Sequence, residues 1–476
     1  MCSVPPRQTR FVGITVMPEY IQTETIEGVL DNLVARAKAT AVTTSPYVME
    51  PADPKTGSRE PPIDAGAGKV RLLDRPLWGR RELFVRTAPG YVPERKLYAG
   101  LRYQPAPPAE LTHKQGPVVR DFIRAARARG LKVYLQIQAA IPPGYRVQFG
   151  GPAEADQPRL PDGRIPSRRL ANNGSLASPD IRSYTQALIR DLCREYPEID
   201  GIRVDWPEYP PYFLDDLFLD FSRPAQLAAE RLGIPFEPLR RELASFYRLL
   251  HGGLTDRHLS AWLEQDGGRY ELLRLLAGRP LLVEFLRFKA LLVEELLAGF
   301  RKALTEAAGA DRELLPNAFP PPFALSSGMD FARAGRHSAG ISVKLYTMHW
   351  PMMLRFYGEE LRAANPGLSE ALLVGALVRW FDIADDEGFP RLSDYAYPEP
   401  DQPHPVGLEA QARKIRQAQA AAGATPIYAL AHGYGPAADF RKRVQTAYHA
   451  AGRRLWVNRY GYLSDEKLAI VGEVGV

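Results

Sequence analysis

Short β-branched runs alternate with amphipathic stretches along the chain. Phe11-Val12-Gly13-Ile14-Thr15-Val16-Met17 predicts a first strand. The stretch 25–39 then places Ile26, Val29, Leu30, Leu33 and Val34 at the spacing of one helix face. By the same reading, 41–44 is the second strand, 132–137 the third and 201–205 the fourth. The fifth to eighth follow at 314–318, 341–348, 426–431 and 454–458. Helical periodicity fills 116–129 (stopped by Gly130), 181–196 (with Ser178 or Asp180 as cap), 326–336, 408–422, 437–451 and 465–471.

Eight strands, each followed by a helix, predict parallel strands joined by right-handed crossovers. The fold class is therefore α/β, a (β/α)8 TIM barrel over 1–476 as a single domain. An open doubly wound sheet is the competitor. It lacks its usual Gly-rich phosphate fingerprint here, since the first strand is followed by Met17-Pro18-Glu19. Two insertions break the pattern: a Pro/Gly/Arg-rich stretch at 51–112 after the second strand, and a helical one at 213–305 after the fourth. The clearest stripe of the latter is Leu282, Val283, Phe285, Leu286, Leu291, Leu292 and Leu296. Both leave from strand carboxyl ends, the face on which such barrels build their sites.

Composition changes this picture little. The 476 residues are 45% hydrophobic and 24% charged, and a net charge of +6 is small against 61 basic and 55 acidic side chains. Basic residues are scattered, so no nucleic-acid partner is expected. Two cysteines, Cys2 and Cys193, exclude a disulfide framework and a thiolate metal cluster. Cys193 reads as a small hydrophobe in a helix. Cys2 reads as a frayed terminus, although an amino-terminal cysteine can serve as a nucleophile. The longest apolar run, 281–300, is interrupted by Glu284, Arg287, Lys289, Glu294 and Glu295, so no membrane span is expected. With no secretory leader pattern either, a cytoplasmic protein is the expectation. The eight histidines are dispersed, without an H-E-x-x-H pair, and neither a metal nor a cofactor is expected.

Candidate chemistry sits at strand ends. In Asp200-Gly201-Ile202-Arg203-Val204-Asp205-Trp206-Pro207-Glu208-Tyr209, Arg203 and Asp205 share a facing and are expected to pair. Glu208 stands between Trp206 and Tyr209, aromatics suited to stacking on sugars and to raising an acid's pKa. The alternative is an Arg–Asp pair that merely closes the barrel, with Glu208 solvated. Lys344 and Tyr346 share a face of the sixth strand, and His349-Trp350 is read as opening a loop. A lysine inside a barrel must pair with a carboxylate or do chemistry. Glu19, Glu50, Asn317, His432, Tyr434, Asn458, Arg459 and Tyr460 end or follow other strands, and Asn172-Asn173 precede the helix leading to strand four. Asp385-Asp386-Glu387 reads as a solvated turn.

Gly201-Ile202-Arg203-Val204-Asp205 is similar to the strand-four motif of the α-amylase superfamily of glycoside hydrolases. That resemblance implies Asp205 as nucleophile or base and Arg203 as its support, and it carries over no acid. The longer pattern, from Asn172-Asn173 through Tyr196-Pro197-Glu198-Ile199-Asp200 to Glu208-Tyr209-Pro210, resembles hypothetical glycosyl hydrolase-like barrel families. Lys344-Leu345-Tyr346 and Trp456 to Leu463 extend this likeness over most of the chain. The amylase pattern wants a Glu after the fifth strand, where Asn317-Ala318-Phe319-Pro320 stands. It also wants His-Asp after the seventh, where the chain has Ala431-His432-Gly433-Tyr434. The Asn-Glu pair that another large clan carries after strand four is missing too.

The leading expectation is a glycosidase acting on a carbohydrate or glycoside. Asp205 is its nucleophile or base and Glu208 its acid, with Glu50 and Glu19 as substitutes for the acid. Trp206, Trp350 and Tyr346 would stack on sugar rings, while Asn317, Lys344, His349 and Arg459 would hold hydroxyls. Arg203, His432 and Asn173 complete the expected binding set. Two alternatives stay open: a Schiff-base lyase or aldolase using Lys344, and a carbohydrate-binding barrel without catalysis.

Overall fold

β1 (Phe11–Thr15), β2 (Ala41–Thr44), β6 (Lys132–Gln138), β7 (Gly201–Asp205), β8 (Glu313–Ala318), β9 (Ile341–Leu345), β10 (Ile427–His432) and β11 (Arg454–Asn458) close a parallel barrel. Its order is β1-β11-β10-β9-β8-β7-β6-β2. This computed structural model describes residues 10–62, 71–147, 149–264, 267–385 and 388–474. Cys2, Asp386 and Glu387 lie outside the described residues. The eight strands are those the alternation predicts, with ends within a residue of the prediction in six of them. The first stops at Thr15 instead of Met17, and the sixth at Leu345 instead of Met348.

The alternation has a direct physical reading. Along β7, Ile202 and Val204 face outward and are fully buried beneath the helices, while Gly201, Arg203 and Asp205 face the interior. Inside the barrel, Ala41, Tyr134, Leu315, Leu430 and Trp456 form an apolar plug. Gly13 belongs to this plug by what it lacks. A Cβ there would stand 2.2 Å from the Trp456 ring, so only glycine admits the indole. Above the plug, toward the carboxyl ends, the interior turns polar with Thr15, Gln136, Gln138, Arg203, Asn317, Ser342 and Lys344.

Helices clad the barrel where predicted, as in Pro179–Glu195, Leu408–Ala422 and Ala437–Ala450. Ser178 caps the first of these, its hydroxyl accepting from the Ile181 N–H at 3.2 Å. The stretch 326–336 divides into Phe323–Ser327 and Phe331–Gly335, broken at Gly328, which takes a left-handed conformation (φ 101°). His349 and Trp350 open a helix, His349–Ala364, not a loop. Pro351 is tolerated there because the first turn has no intrahelical acceptor for its missing N–H.

After β2 the chain makes an antiparallel sheet of β3 (Tyr47–Ala52), β5 (Leu83–Pro89) and β4 (Ser58–Glu60), with β5 in the middle. After β7 it runs through the helices Arg223–Arg231, Phe236–Arg248, Asp256–Leu263 and Pro280–Ala308. The last of these buries Phe285, Phe288, Leu292, Leu296 and Phe300. Each such side chain contributes about 1.5–3 kcal/mol on burial. None of the helices described is long and apolar enough to cross a membrane.

Candidate active site

The period-two rule that sends Ile202 and Val204 outward delivers Asp205 to the rim, opposite Gln138 of β6. One ammonium, as an ion pair, and two N–H donors converge on one of its oxygens, Oδ1. Lys344 Nζ lies 2.9 Å away, Asn317 Nδ2 3.2 Å, and the Trp206 N–H 3.2 Å. Among the described residues nothing donates to Oδ2, and the side chain keeps 16% of its exposure.

The expected Arg203–Asp205 pair does not form. Arg203 is wholly buried and stacks 3.9 Å above the Trp456 ring, which closes the plug from above. Its guanidinium donates to Asn317 Oδ1 at 2.9 Å, to Thr15 Oγ1 at 3.3 Å and to Ser342 Oγ at 3.4 Å. Burial pulls its pKa down to about 10. Since guanidinium only donates, Asn317 must turn its carbonyl to Arg203 and its amide to Asp205. Arg203 therefore acts on Asp205 through Asn317. The carboxylate's direct cation is Lys344, from β9, two strands away. Lys344 also lies 5.3 Å from the Trp206 ring centre and 5.1 Å from that of Phe319.

Glu208 is fully buried. Its Oε1 accepts from the Phe319 N–H at 2.8 Å, and its Oε2 lies 2.6 Å from Ser327 Oγ. Burial raises its pKa to about 7; the Lys344 charge opposes that rise, and nearby Asp205 adds a little to it. The bonds from the Ser327 hydroxyl and the Phe319 N–H also oppose the rise, so burial carries it. Ser327 Oγ lies 2.7 Å from the Ala324 carbonyl as well, so its single hydrogen is shared between two acceptors.

Other predicted residues reach the rim. Tyr346 is half-buried, and its hydroxyl accepts from Asn458 Nδ2 at 2.7 Å, leaving its own hydrogen to give. Trp206 covers Lys344. His432 is buried, accepts from the Tyr434 N–H at 3.1 Å and meets Arg71 at 3.0 Å. Burial and the Arg71 charge hold its pKa well below the ordinary imidazole value. His349 meets the Tyr212 hydroxyl at 3.1 Å and packs edge-on against Tyr346.

A second group of charges occupies the opposite half of the mouth. Glu60, from β4 of the inserted sheet, bonds Arg146 through one oxygen and Arg459 through the other, the latter at 2.6 Å. Glu19 accepts from the Tyr47 hydroxyl at 3.1 Å and lies 3.7 Å from Arg146. Burial raises the pKa of Glu19, whereas the two guanidiniums outweigh burial at Glu60 and lower it. Arg459 and Glu19 are thus engaged with each other's neighbours.

Three predicted residues lie apart from the opening. Glu50 is on β3, 3.5 Å from Arg86 across the sheet. Trp350 is buried in its helix under the Lys414 ammonium. Asn173 is fully buried, donating to the Glu208 carbonyl at 3.1 Å and accepting from Arg169 at 2.6 Å, so it fixes the loop that carries Glu208. Gln138 lies one residue past the predicted end of the third strand, 132–137. Its alternation with Gln136 was the signal, and its Oε1 is buried with no hydrogen-bond partner among the described residues. Glu60 and Arg146 carry no periodic signal.

Fold and rim together define a (β/α)8 barrel with a lysine-supported aspartate at the end of its fourth barrel strand. No family model matches the sequence, and no curated protein matches it. Among solved structures, the chain is similar to the catalytic domain of a beta-amylase from Paenibacillus polymyxa. That likeness has a TM-score of 0.50 at 10% identity, covering 96% of this chain and 94% of that one. A beta-galactosidase from the psychrophilic Marinomonas ef1 is similar at TM-score 0.46 and 12% identity, over 94% of this chain. The chain spans about half of that enzyme, 54% of its length. A class V chitinase from Pseudomonas fluorescens Pf-5 is similar at TM-score 0.40 and 11% identity, covering 97% of this chain and 98% of that one. At such identities the likeness speaks for the barrel alone.

Proposed function

We propose that the chain hydrolyses glycosidic bonds at the rim of β7, with Asp205 as nucleophile or base and Glu208 as proton donor. The observation that carries this reading is the division of labour within Asp205. Oδ1 is anchored by the Asn317 and Trp206 donors and by the Lys344 ion pair, while Oδ2 takes no bond from any described residue. Glycosidic cleavage commonly needs one such carboxylate and one protonated carboxyl across the scissile bond, about 5 Å apart for retention and about 6.5–9.5 Å for inversion. Glu208, with its pKa raised to about 7 by burial, supplies the second chemical form. To reach a leaving group it must release Ser327 and Phe319, so the loop 206–208 has to shift on binding. The Tyr346 hydroxyl offers a hydrogen to a sugar oxygen, while Trp206, buried beside Lys344, would meet a sugar only if the same loop shifts.

The test is Asp205→Asn, assayed on a panel of aryl glycosides and oligosaccharides. Turnover is expected to fall by about a thousandfold or more, with the circular dichroism spectrum of the barrel retained. Unchanged turnover refutes the assignment. The enclosure of Glu208 favours one rival, a barrel that binds sugar without cleaving it. Saturable sugar binding with no turnover across the panel would establish that rival. The Schiff-base alternative draws less support, because the Lys344 ammonium is buried against Asp205.

A further inference from the structure

Ten residues beyond Asp205, at the start of the helical insertion, a second constellation forms away from the rim. Asp215 lies on the short helix Leu214–Phe218, His251 on the turn Leu249–Gly253, and Glu360 on the helix His349–Ala364. All three are partly buried, and their ligating atoms lie within 4.8 Å of one another. His251 Nε2 is 3.2 Å from Glu360 Oε1 and 3.5 Å from Asp215 Oδ1.

The other imidazole nitrogen settles the tautomer. His251 Nδ1 lies 2.9 Å from the Tyr247 carbonyl, which can only accept, so Nδ1 carries the hydrogen. In the neutral ring, the Nε2 lone pair then points at two carboxylates. Two acceptors facing a lone pair repel unless a cation stands between them, either a proton on Nε2 or a metal ion. A backbone carbonyl fixing the far nitrogen is the usual outer support of a metal-bound histidine. A second support is present as well: the Tyr247 hydroxyl donates to Asp215 Oδ1 at 2.8 Å, and the Tyr247 ring stacks on the imidazole at 3.8 Å. Arg164 is the other charge close to Asp215.

We propose that Asp215, His251 and Glu360 bind a first-row divalent cation of the Zn2+ or Mn2+ kind, which ties the helical insertion to the helix after β9. The two spacings from His251, 3.2 and 3.5 Å, agree with this. Metal–ligand bonds of about 2.0–2.1 Å in a tetrahedron set ligand atoms about 3.3–3.4 Å apart. One imidazole with two carboxylates suits these ions better than Mg2+ or Ca2+, which prefer all-oxygen shells. Three protein ligands leave a fourth position for water. The role is structural, because the ion would join segments far apart in sequence without touching the rim.

The test uses the full chain after chelator treatment, titrated calorimetrically with ZnCl2 and with MnCl2 at neutral pH. Binding of one equivalent at micromolar affinity or tighter, with a raised thermal midpoint, is the expected result. His251→Gln and the milder Glu360→Gln should each weaken binding by at least about tenfold, and Tyr247→Phe by a smaller factor. Glu360→Gln keeps the side chain's size at a partly exposed helix position, so it keeps the test valid should His251→Gln fail to fold. Affinity should also fall as pH is lowered, because protons compete for the imidazole. Absence of saturable binding by either ion overturns the proposal, leaving an imidazolium bridging two carboxylates. Binding of equal strength in wild type and both ligand variants overturns it equally.

Discussion

The two halves of the barrel mouth hold carboxylates and cations in similar numbers and use them in opposite ways. Over β11, β1, β2 and β6, Glu60 spends both oxygens on Arg146 and Arg459, and Glu19 leans on Tyr47 and Arg146. Over β7, β8 and β9, Asp205 spends one oxygen on Lys344 and Asn317 and keeps the other open. A fully answered charge holds structure, and a partly answered one at an opening is available for chemistry. Both are ion pairs by distance. What separates them is the number of carboxylate oxygens left over.

That contrast can be broken in order of expected effect. Glu60→Ala leaves two buried guanidiniums facing each other. Losing one partner of a buried pair costs about 3–5 kcal/mol, to be read from urea denaturation, and a loss below about 1 kcal/mol would mean that water already relieves the cluster. Asp205→Asn strands one ammonium beside a partly open site and keeps an amide oxygen toward it. Its stability loss should be smaller, about 1–2 kcal/mol, although its effect on turnover is the larger of the two. Equal losses would erase the distinction.

Glu208→Gln sharpens the comparison through pH. The folded-state pKa of Glu208, near 7, exceeds its ordinary value of 4.5. Between those values the unfolded chain has released the proton that the folded chain still holds, so stability is fully present below about pH 4.5 and falls as pH rises toward 7. Asp216, likewise raised to about 7 by burial, contributes the same slope in both proteins. The difference in pH slope between wild type and Glu208→Gln therefore isolates Glu208, and parallel curves would show it ionised throughout. The smallest effect is expected from Tyr346→Phe, about 1 kcal/mol for the lost Asn458 bond, with KM rising more than kcat falls if the hydroxyl meets substrate.

The barrel was legible because each strand repeats one signal, apolar outward and mixed inward, and eight repeats leave few alternatives. The strand-end rule also found Asp205, Asn317 and Lys344, since period two fixes which residues reach the rim. It misjudged the partner of Asp205, because adjacency along β7 says nothing of a lysine arriving from two strands away. Proximity in sequence also favoured Glu50, yet pairing with β5 carries it onto a separate sheet. β4 is three residues long, too short for any periodicity to appear, and it delivers Glu60. Asp215, His251 and Glu360 escaped a search for histidine pairs for a like reason: three segments, separated by 36 and 109 positions, supply one residue each.

The strand that brings Glu60 across to Arg146 and Arg459 also has a reach beyond its own sheet. Its two partners follow β6 and β11, so a single carboxylate of the insertion ties two separate parts of the barrel rim together, and a change in the insertion is felt at both.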